Sequence, residues 1–335
     1  MNLEDKINIV KDILKDKNIA IGFSGGADST LITYLSSKVA KDTLAITIDN
    51  HIFPTGFVEN AKRTCETFQV KHEIIDIDFY EEENLLSNSQ KRCFTCRDMM
   101  YSTIEKIARE KGFDFICDGN NISDLVADRP GILITYEKGF ETPFIKAKLT
   151  SKEIHEYLDE HNIPYSRSTT CLATRIPTNT RITDEKIKKI RYCEDYILDK
   201  TNCEIVKVRD LEENGIVEVD DVNEILKDNA FKQIDDELKC QGFDKVVLNL
   251  SQIDDNEYIS IDYSDGLFSY QLPFTINLEN TKMQLSEIDF ESGEKIRSDK
   301  ITIHASGLIE GDDLETYDAA LDTFMEILPK LRRNI

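Results

Sequence analysis

Four short apolar runs, at residues 19–23, 44–49, 72–77 and 113–117, alternate with helical patterns near 29–39, 58–68 and 96–111. This order leaves few folds open. Strands separated by helices pair in parallel through right-handed crossovers, so the spacing predicts an α/β fold on a Rossmann-like parallel sheet. Ligands of such sheets collect beyond the carboxyl ends of the strands. Three polar segments follow strands and are expected to share that rim: residues 24–29, Asp49 with Asn50, and "DGNN" at 118–121.

The first of these sits in "IAIGFSGGADST", residues 19–30, where a buried strand hands over to a helix. The first turn of a helix has unpaired N–H groups and the positive end of the dipole, while Gly25 and Gly26 let the backbone approach a ligand closely. Phosphate suits such a seat. A Walker A loop would need Gly-Lys-Ser/Thr and a dinucleotide fingerprint a third glycine, and both are missing. A plain turn would have no use for Ser24, Asp28 and Ser29 beside both glycines.

The chain has 335 residues, room for two or three domains. No stretch has the length of a membrane span, and the start is a charged amphipathic helix without the apolar core of a signal peptide, so the expected location is cytoplasmic. A net charge of −23 argues against a large nucleic-acid partner. "LTSKEIHEYLDEHNIP" predicts a helix with a capping box between Thr150 and Glu153, stopped before Pro164, on which His155 and His161 are expected to be solvated. A second unit, about 169–255, is expected to hold a helix at 184–198 and strands at 203–209, 216–219 and 245–250. The remainder, about 256–335, predicts alternating strands and a helix near 314–328, a small α+β extension.

Eight cysteines, irregularly spaced, suggest thiols or metal ligands rather than a disulfide framework. Cys93 and Cys96 form "RCFTC", expected just before a helix, and Cys171 lies in the polar "STTCLATR" with arginines near it. Cys65, Cys117 and Cys193 fall in core patterns. Spacing alone leaves three outcomes open: an iron-sulfur cube with one iron lacking a protein ligand, a structural zinc with a fourth ligand, or free thiols.

"SGGADS" resembles the pyrophosphate loop of the ATP pyrophosphatase superfamily, whose members transfer AMP to a carbonyl or carboxylate. "RCFTCRDMMY", "DGNNISDLVADRPG" and "TTCLATRIPTNTRIT" resemble, in order and over about residues 1–210, the LarE-type ATP-dependent sulfur transferases, which thiolate a pyridinium carboxylate mononucleotide. The resemblance implies a PP-loop domain at 1–168, a sulfur-transfer domain at 169–255, and a homo-oligomer. Within that family one kind sacrifices a lone cysteine at the Cys171 position, and another adds a CxxC pair and assembles a [4Fe-4S] cluster carrying an extra sulfide. Cys93, Cys96 and Cys171 match the cluster-bearing kind. The strand "VKVRDLEENGIVEV" and the segment "LNLSQIDDNEY" depart from the family pattern where the substrate phosphate would be gripped, so reaction type is better fixed than substrate.

On this resemblance ATP is expected against Ser24, Gly25, Gly26, Asp28, Ser29, Asp49 and Asp118, with Mg2+ on Asp28 or Asp118. Arg175, Arg181 and Arg209 are the cations expected to bring a substrate carboxylate to the α-phosphate, and Cys171 to deliver sulfur from a sulfide donor. Asp124, Asp128 and Arg129 either line the substrate side or cap a helix. Rival readings are a cluster-dependent tRNA thiolase, an amide-forming ligase, and a nucleotide-binding module without turnover.

Overall fold

The computed structural model describes residues 1–167, 170–253 and 259–334. The domain boundaries expected at 168/169 and 255/256 lie outside the described residues, as do the first two residues of "STTCLATR" and the last five of "LNLSQIDDNEY". Within the described residues the chain builds three sheets.

The first sheet has the order β3-β2-β1-β4, all parallel: β1 (Asn18–Gly22), β2 (Asp42–Asp49), β3 (Lys71–Asp76) and β4 (Phe115–Cys117). Ile19, Ala20 and Ile21 of β1 are fully buried. A central strand covered on both faces needs apolar side chains pointing both ways, hence its unbroken run. Ile7 and Val10 of α1 (Leu3–Leu14) and Leu31, Ile32 and Leu35 of α2 (Ala27–Val39) pack on Ile19 and Ile21. Tyr101, Ile104 and Ala108 of the Arg92–Glu110 helix pack on Ala20, Leu44, Ile46 and Ile48. α3 (Phe57–Phe68) seats Ala61 and Cys65 beside Phe23 and Ala45. The Ser151–Glu160 helix has its expected capping box.

The CxxC pair departs from expectation. Cys93 and Cys96 lie within the first turns of the Arg92–Glu110 helix, not ahead of it. The helix starts early because Arg92 is buried, its guanidinium bonded to Asn88 and donating to the Ala173 carbonyl at 2.8 Å.

In the second sheet β5 (Val206–Leu211) and β6 (Asn214–Val219) form an antiparallel pair, and β7 (Lys245–Leu248) runs parallel to β6. A parallel pair needs a crossover, supplied by the helix Ala230–Cys240, which the sequence reading lacked. Its Ile234 and Leu238 pack with Cys193 and Ile197 of the Asp184–Lys200 helix.

The third sheet is antiparallel, ordered β10-β11-β12-β13-β9-β8: β8 (Asp262–Ser264), β9 (Leu267–Gln271), β10 (Phe290–Glu291), β11 (Lys295–Ser298), β12 (Ile301–His304) and β13 (Leu308–Gly311). The Tyr317–Ile327 helix packs Phe324 on Phe268 and Tyr270. This core does not end at the sheet. Ile122, Leu125, Val126 and Ile145 of the amino-terminal unit belong to the same apolar cluster as Ile303, Ile309 and Phe324. Among the described residues no helix is long and apolar enough to cross a membrane.

Candidate nucleotide site and thiol group

The glycine junction forms a compact turn at the end of β1. Gly25 takes φ +75°, a left-handed conformation natural to glycine. The hydroxyls stitch the turn to itself. Ser24 N donates to Ser29 Oγ at 3.2 Å, Gly26 N to Ser24 Oγ at 3.3 Å, and Ser29 Oγ to the Gly26 carbonyl at 3.1 Å. Ser166 N donates to the Gly25 carbonyl at 2.9 Å, which clamps the loop from outside. α2 follows its N-cap Gly26 without a side-chain cap, which leaves its first N–H groups without a capping side chain, and Gly26 to Ser29 line a cavity of about 450 Å³.

Two of the three expected rim segments line that cavity: Ser24, Gly26, Asp28 and Ser29 from the loop, and Asp118 to Asn121 after β4. Asp49 is not among the lining residues. Ile46 and Ile48 of β2 face the cavity, and strand alternation sends Asp49 elsewhere. It meets His51 and Asp76, with His51 Nε2 3.0 Å from Asp76 Oδ2 and Nδ1 3.8 Å from Asp49 Oδ1.

The carboxylates of the cavity play different parts. Asp118 is buried and saturated with donors: Tyr101 Oη at 2.9 Å, Thr135 Oγ1 at 3.0 Å, Asn120 Nδ2 at 2.6 Å, Asn120 N at 3.0 Å and Arg97 Nη2 at 3.3 Å. Burial raises its pKa even so. These bonds commit it to holding Arg97 and Asn120 in place. Asp28 has one side-chain donor, Asn121 Nδ2 at 2.8 Å. Burial, then the charge of Asp124, pushes its pKa up to about 7, against relief from Arg129. A divalent cation would relieve the same strain, and Mg2+ takes one or two carboxylates together with substrate phosphates. Of the two carboxylates expected to hold Mg2+, Asp28 is the less engaged and Asp118 the more committed to its neighbours.

The arginines divide as well. Arg129 pairs with Asp124 and lines the cavity. Arg97, quoted within "RCFTCRDMMY" but given no role from sequence, lines it too. Arg175 is buried, its Nε donating to Glu194 Oε1 at 2.8 Å and its Nη1 to Thr170 Oγ1 at 3.0 Å, so it anchors the turn that bears Cys171. Arg209 donates to Glu218 at 2.9 Å and to the Thr174 carbonyl at 3.3 Å, securing the same turn from β5. Arg181 pairs with Glu83 on the exterior and is not brought to the cavity. Its surroundings of "PTNT" give it nothing buried to hold. His155, expected to be solvated, lines the cavity, with Nδ1 3.1 Å from Tyr165 Oη. The missing signal was helical phase: the face that buries Ile154 and Leu158 turns its flank to the loop.

Cys93, Cys96 and Cys171 share one electrostatic neighbourhood. Burial, then the charges of Cys171 and Cys93, pushes the Cys96 thiol up to about 12. Burial also raises Cys171, with Arg92 and Arg175 pulling it back. Arg92 Nη2 lies 3.4 Å from Cys93 Sγ, and Asn50 Nδ2 lies 3.8 Å from Cys96 Sγ. Among the described residues, the three sulfurs are not gathered within 4.8 Å of one another; Asp49, His51 and Asp76 are the one set of metal-type side chains that is.

A parallel sheet ending in a glycine loop, with an uncapped helix start over a carboxylate-lined cavity, is the architecture of a PP-loop protein, and the PP-loop domain model matches residues 1–129. The chain belongs to this family, whose members are ATP-using enzymes. An uncharacterized protein of Methanocaldococcus jannaschii is 32% identical over 244 residues, 72% of this chain and 93% of that protein. One of Synechocystis sp. is 25% identical over 254 residues, 74% and 94% of the two chains. The resemblance to LarE-type enzymes also holds: the pyridinium-3,5-bisthiocarboxylic acid mononucleotide synthase of Lactiplantibacillus plantarum is 23% identical over 189 residues, 55% of this chain and 68% of that one.

Proposed function

We propose that the protein is an ATP-dependent sulfur transferase that adenylates a substrate carboxylate and exchanges the AMP for sulfur. One observation supports this most: the thiol group and the cavity share a wall. Asn50 reaches both Cys96 Sγ and Met100 Sδ, Met100 lines the cavity, and Thr170, next to Cys171, lines it too.

Ser24, Gly26 and Ser29, with the first turn of α2, would cradle the departing pyrophosphate, while Gly25, which does not line the cavity, shapes the turn behind them. Asp28 would hold Mg2+, which when bound neutralises phosphate charge. Arg97 and Arg129 supply the positive field that lets a carboxylate approach the α-phosphate. The carboxylate oxygen attacks phosphorus, the bond to pyrophosphate breaks, and the acyl carbon becomes open to a sulfur nucleophile as AMP leaves. Arg175 and Arg209 fix the turn that presents Cys171.

Cys93, Cys96 and Cys171 would hold a [4Fe-4S] cluster, which when bound supplies an iron free of protein ligands that can carry a sulfide. One feature favours this donor set: Arg92 and Arg175 stand near enough to Cys171 to balance thiolate charge. By its kinship with the Lactiplantibacillus enzyme, the substrate is a pyridinium carboxylate mononucleotide.

Anaerobically prepared protein should contain about four irons per chain and release pyrophosphate from ATP in the presence of that substrate. Cys171→Ala should keep pyrophosphate release and form no thiocarboxylate. Thiolation persisting in this variant, or an amide formed from ammonia in its place, would overturn the assignment.

A further inference from the structure

The helix Ile122–Val126 has two faces with different owners. Ser123 and Asp124 line the nucleotide cavity. Ile122, Leu125 and Val126 are buried in the apolar cluster that the carboxyl-terminal sheet builds around Ile303, Ile309, Phe324 and Leu328. Five residues are too few to hold a helix on their own, so its position is imposed from outside.

Polar contacts continue the link. Arg333, stacked over the Phe274 ring at 4.4 Å, donates to Asp128 Oδ1 at 2.6 Å. The next residue, Arg129, pairs with Asp124. Asp124 accepts from Asn121 N at 2.9 Å, and Asn121 Nδ2 donates to Asp28 Oδ1 at 2.8 Å. A chain of contacts thus runs from the third-last residue to the phosphate loop. On the same side Arg332 lies over the Tyr136 ring at 4.4 Å, and Lys148 bonds Asp322 and Glu326 at 3.2 and 2.9 Å.

We propose that the carboxyl-terminal sheet positions the nucleotide site in cis: through Arg333 and its apolar face it fixes residues 122–129, and with them the Asp124–Arg129 pair opposite Asp28. Arg333 is a positioning residue; it does not line the cavity. The effect on ATP rests on the function proposed above. The ordering of residues 122–129 does not.

Two measurements on the full-length chain separate these. In hydrogen exchange, Arg333→Gln should speed exchange of amides 122–129 and leave β1 to β3 unchanged. In pyrophosphate release, it should raise the KM for ATP about two- to five-fold, as expected for a partly exposed ion pair, with kcat little altered. The exchanged pair, Asp128→Arg with Arg333→Asp, should restore both. Unchanged exchange at 122–129 in Arg333→Gln would overturn the proposal, as would a kcat loss without a KM change. Should wild-type protein release no pyrophosphate, the function fails, while the exchange data still decide the positioning.

Discussion

The first and third sheets organise chemistry in opposite ways. In the first, four parallel strands all end at one rim, and the loops leaving β1 and β4 converge on one cavity. In the third, neighbouring strands run in opposite directions, so no single rim collects loops, and β12 and β13 are joined by a tight turn. Its contribution is a broad apolar face with a charged margin. Parallel pairing concentrates a site, whereas antiparallel pairing supplies a platform for holding one.

Glycine substitutions test the contrast most severely. A methyl group at Gly119 would lie 2.8 Å from Asp28 Cβ and from the Asp28 carbonyl carbon, pressing on the phosphate loop. Gly119→Ala should therefore cut ATP-dependent pyrophosphate release by about 10²-fold. In the third sheet Gly307 has φ +92°, and a Cβ there would strike the Phe274 carbonyl. Gly307→Ala should lower stability by about 1–3 kcal/mol in denaturant unfolding, with a smaller activity loss than Gly119→Ala. Equal activity losses would break the distinction between site and platform.

Asp28 sharpens it further. With its pKa pushed from 3.8 up to about 7, the folded chain keeps a proton that the unfolded chain has released across that window. Stability of the nucleotide-free protein should then fall as pH rises from 4 to 7 and stay low above it. Asp28→Asn should remove this dependence and raise stability near pH 8 by an amount on the order of 1–4 kcal/mol, while weakening ATP binding. Thermal melts at both ends of the window, with ATP titrations, check the sign. The smallest effect belongs to Arg181→Ala, which should leave melting temperature and pyrophosphate release unchanged because the Arg181–Glu83 pair is exposed.

Much of the amino-terminal unit was legible because its signals are local. The β1 run, the two glycines and Ser24, Asp28 and Ser29 lie within eleven residues, and strand–helix alternation dictated the sheet. The site's remaining members meet only through tertiary contact. Arg97 and Asp118 stand 21 positions apart on different elements, and nothing in either neighbourhood announces their pairing. Asp49 was misplaced although a signal existed: Ile46 and Ile48 share a face that Asp49, one residue out of phase, cannot join. Arg181 and Arg209 illustrate the limit of residue type, since a guanidinium in a polar stretch reads alike whether it turns inward or outward. The carboxyl-terminal strands were visible from alternation, but their shared core with Ile122 and Leu125 was not, because β-pattern periodicity names a buried face without naming its partner.

The thiol group straddles a module border. Cys93 and Cys96 belong to the stretch that matches the PP-loop domain, residues 1–129, and Cys171 does not. Transplanting that stretch onto another scaffold would bring only two of the three sulfurs, and it would leave behind both Ser166, which clamps the phosphate loop, and the carboxyl-terminal core that holds Ile122 and Leu125.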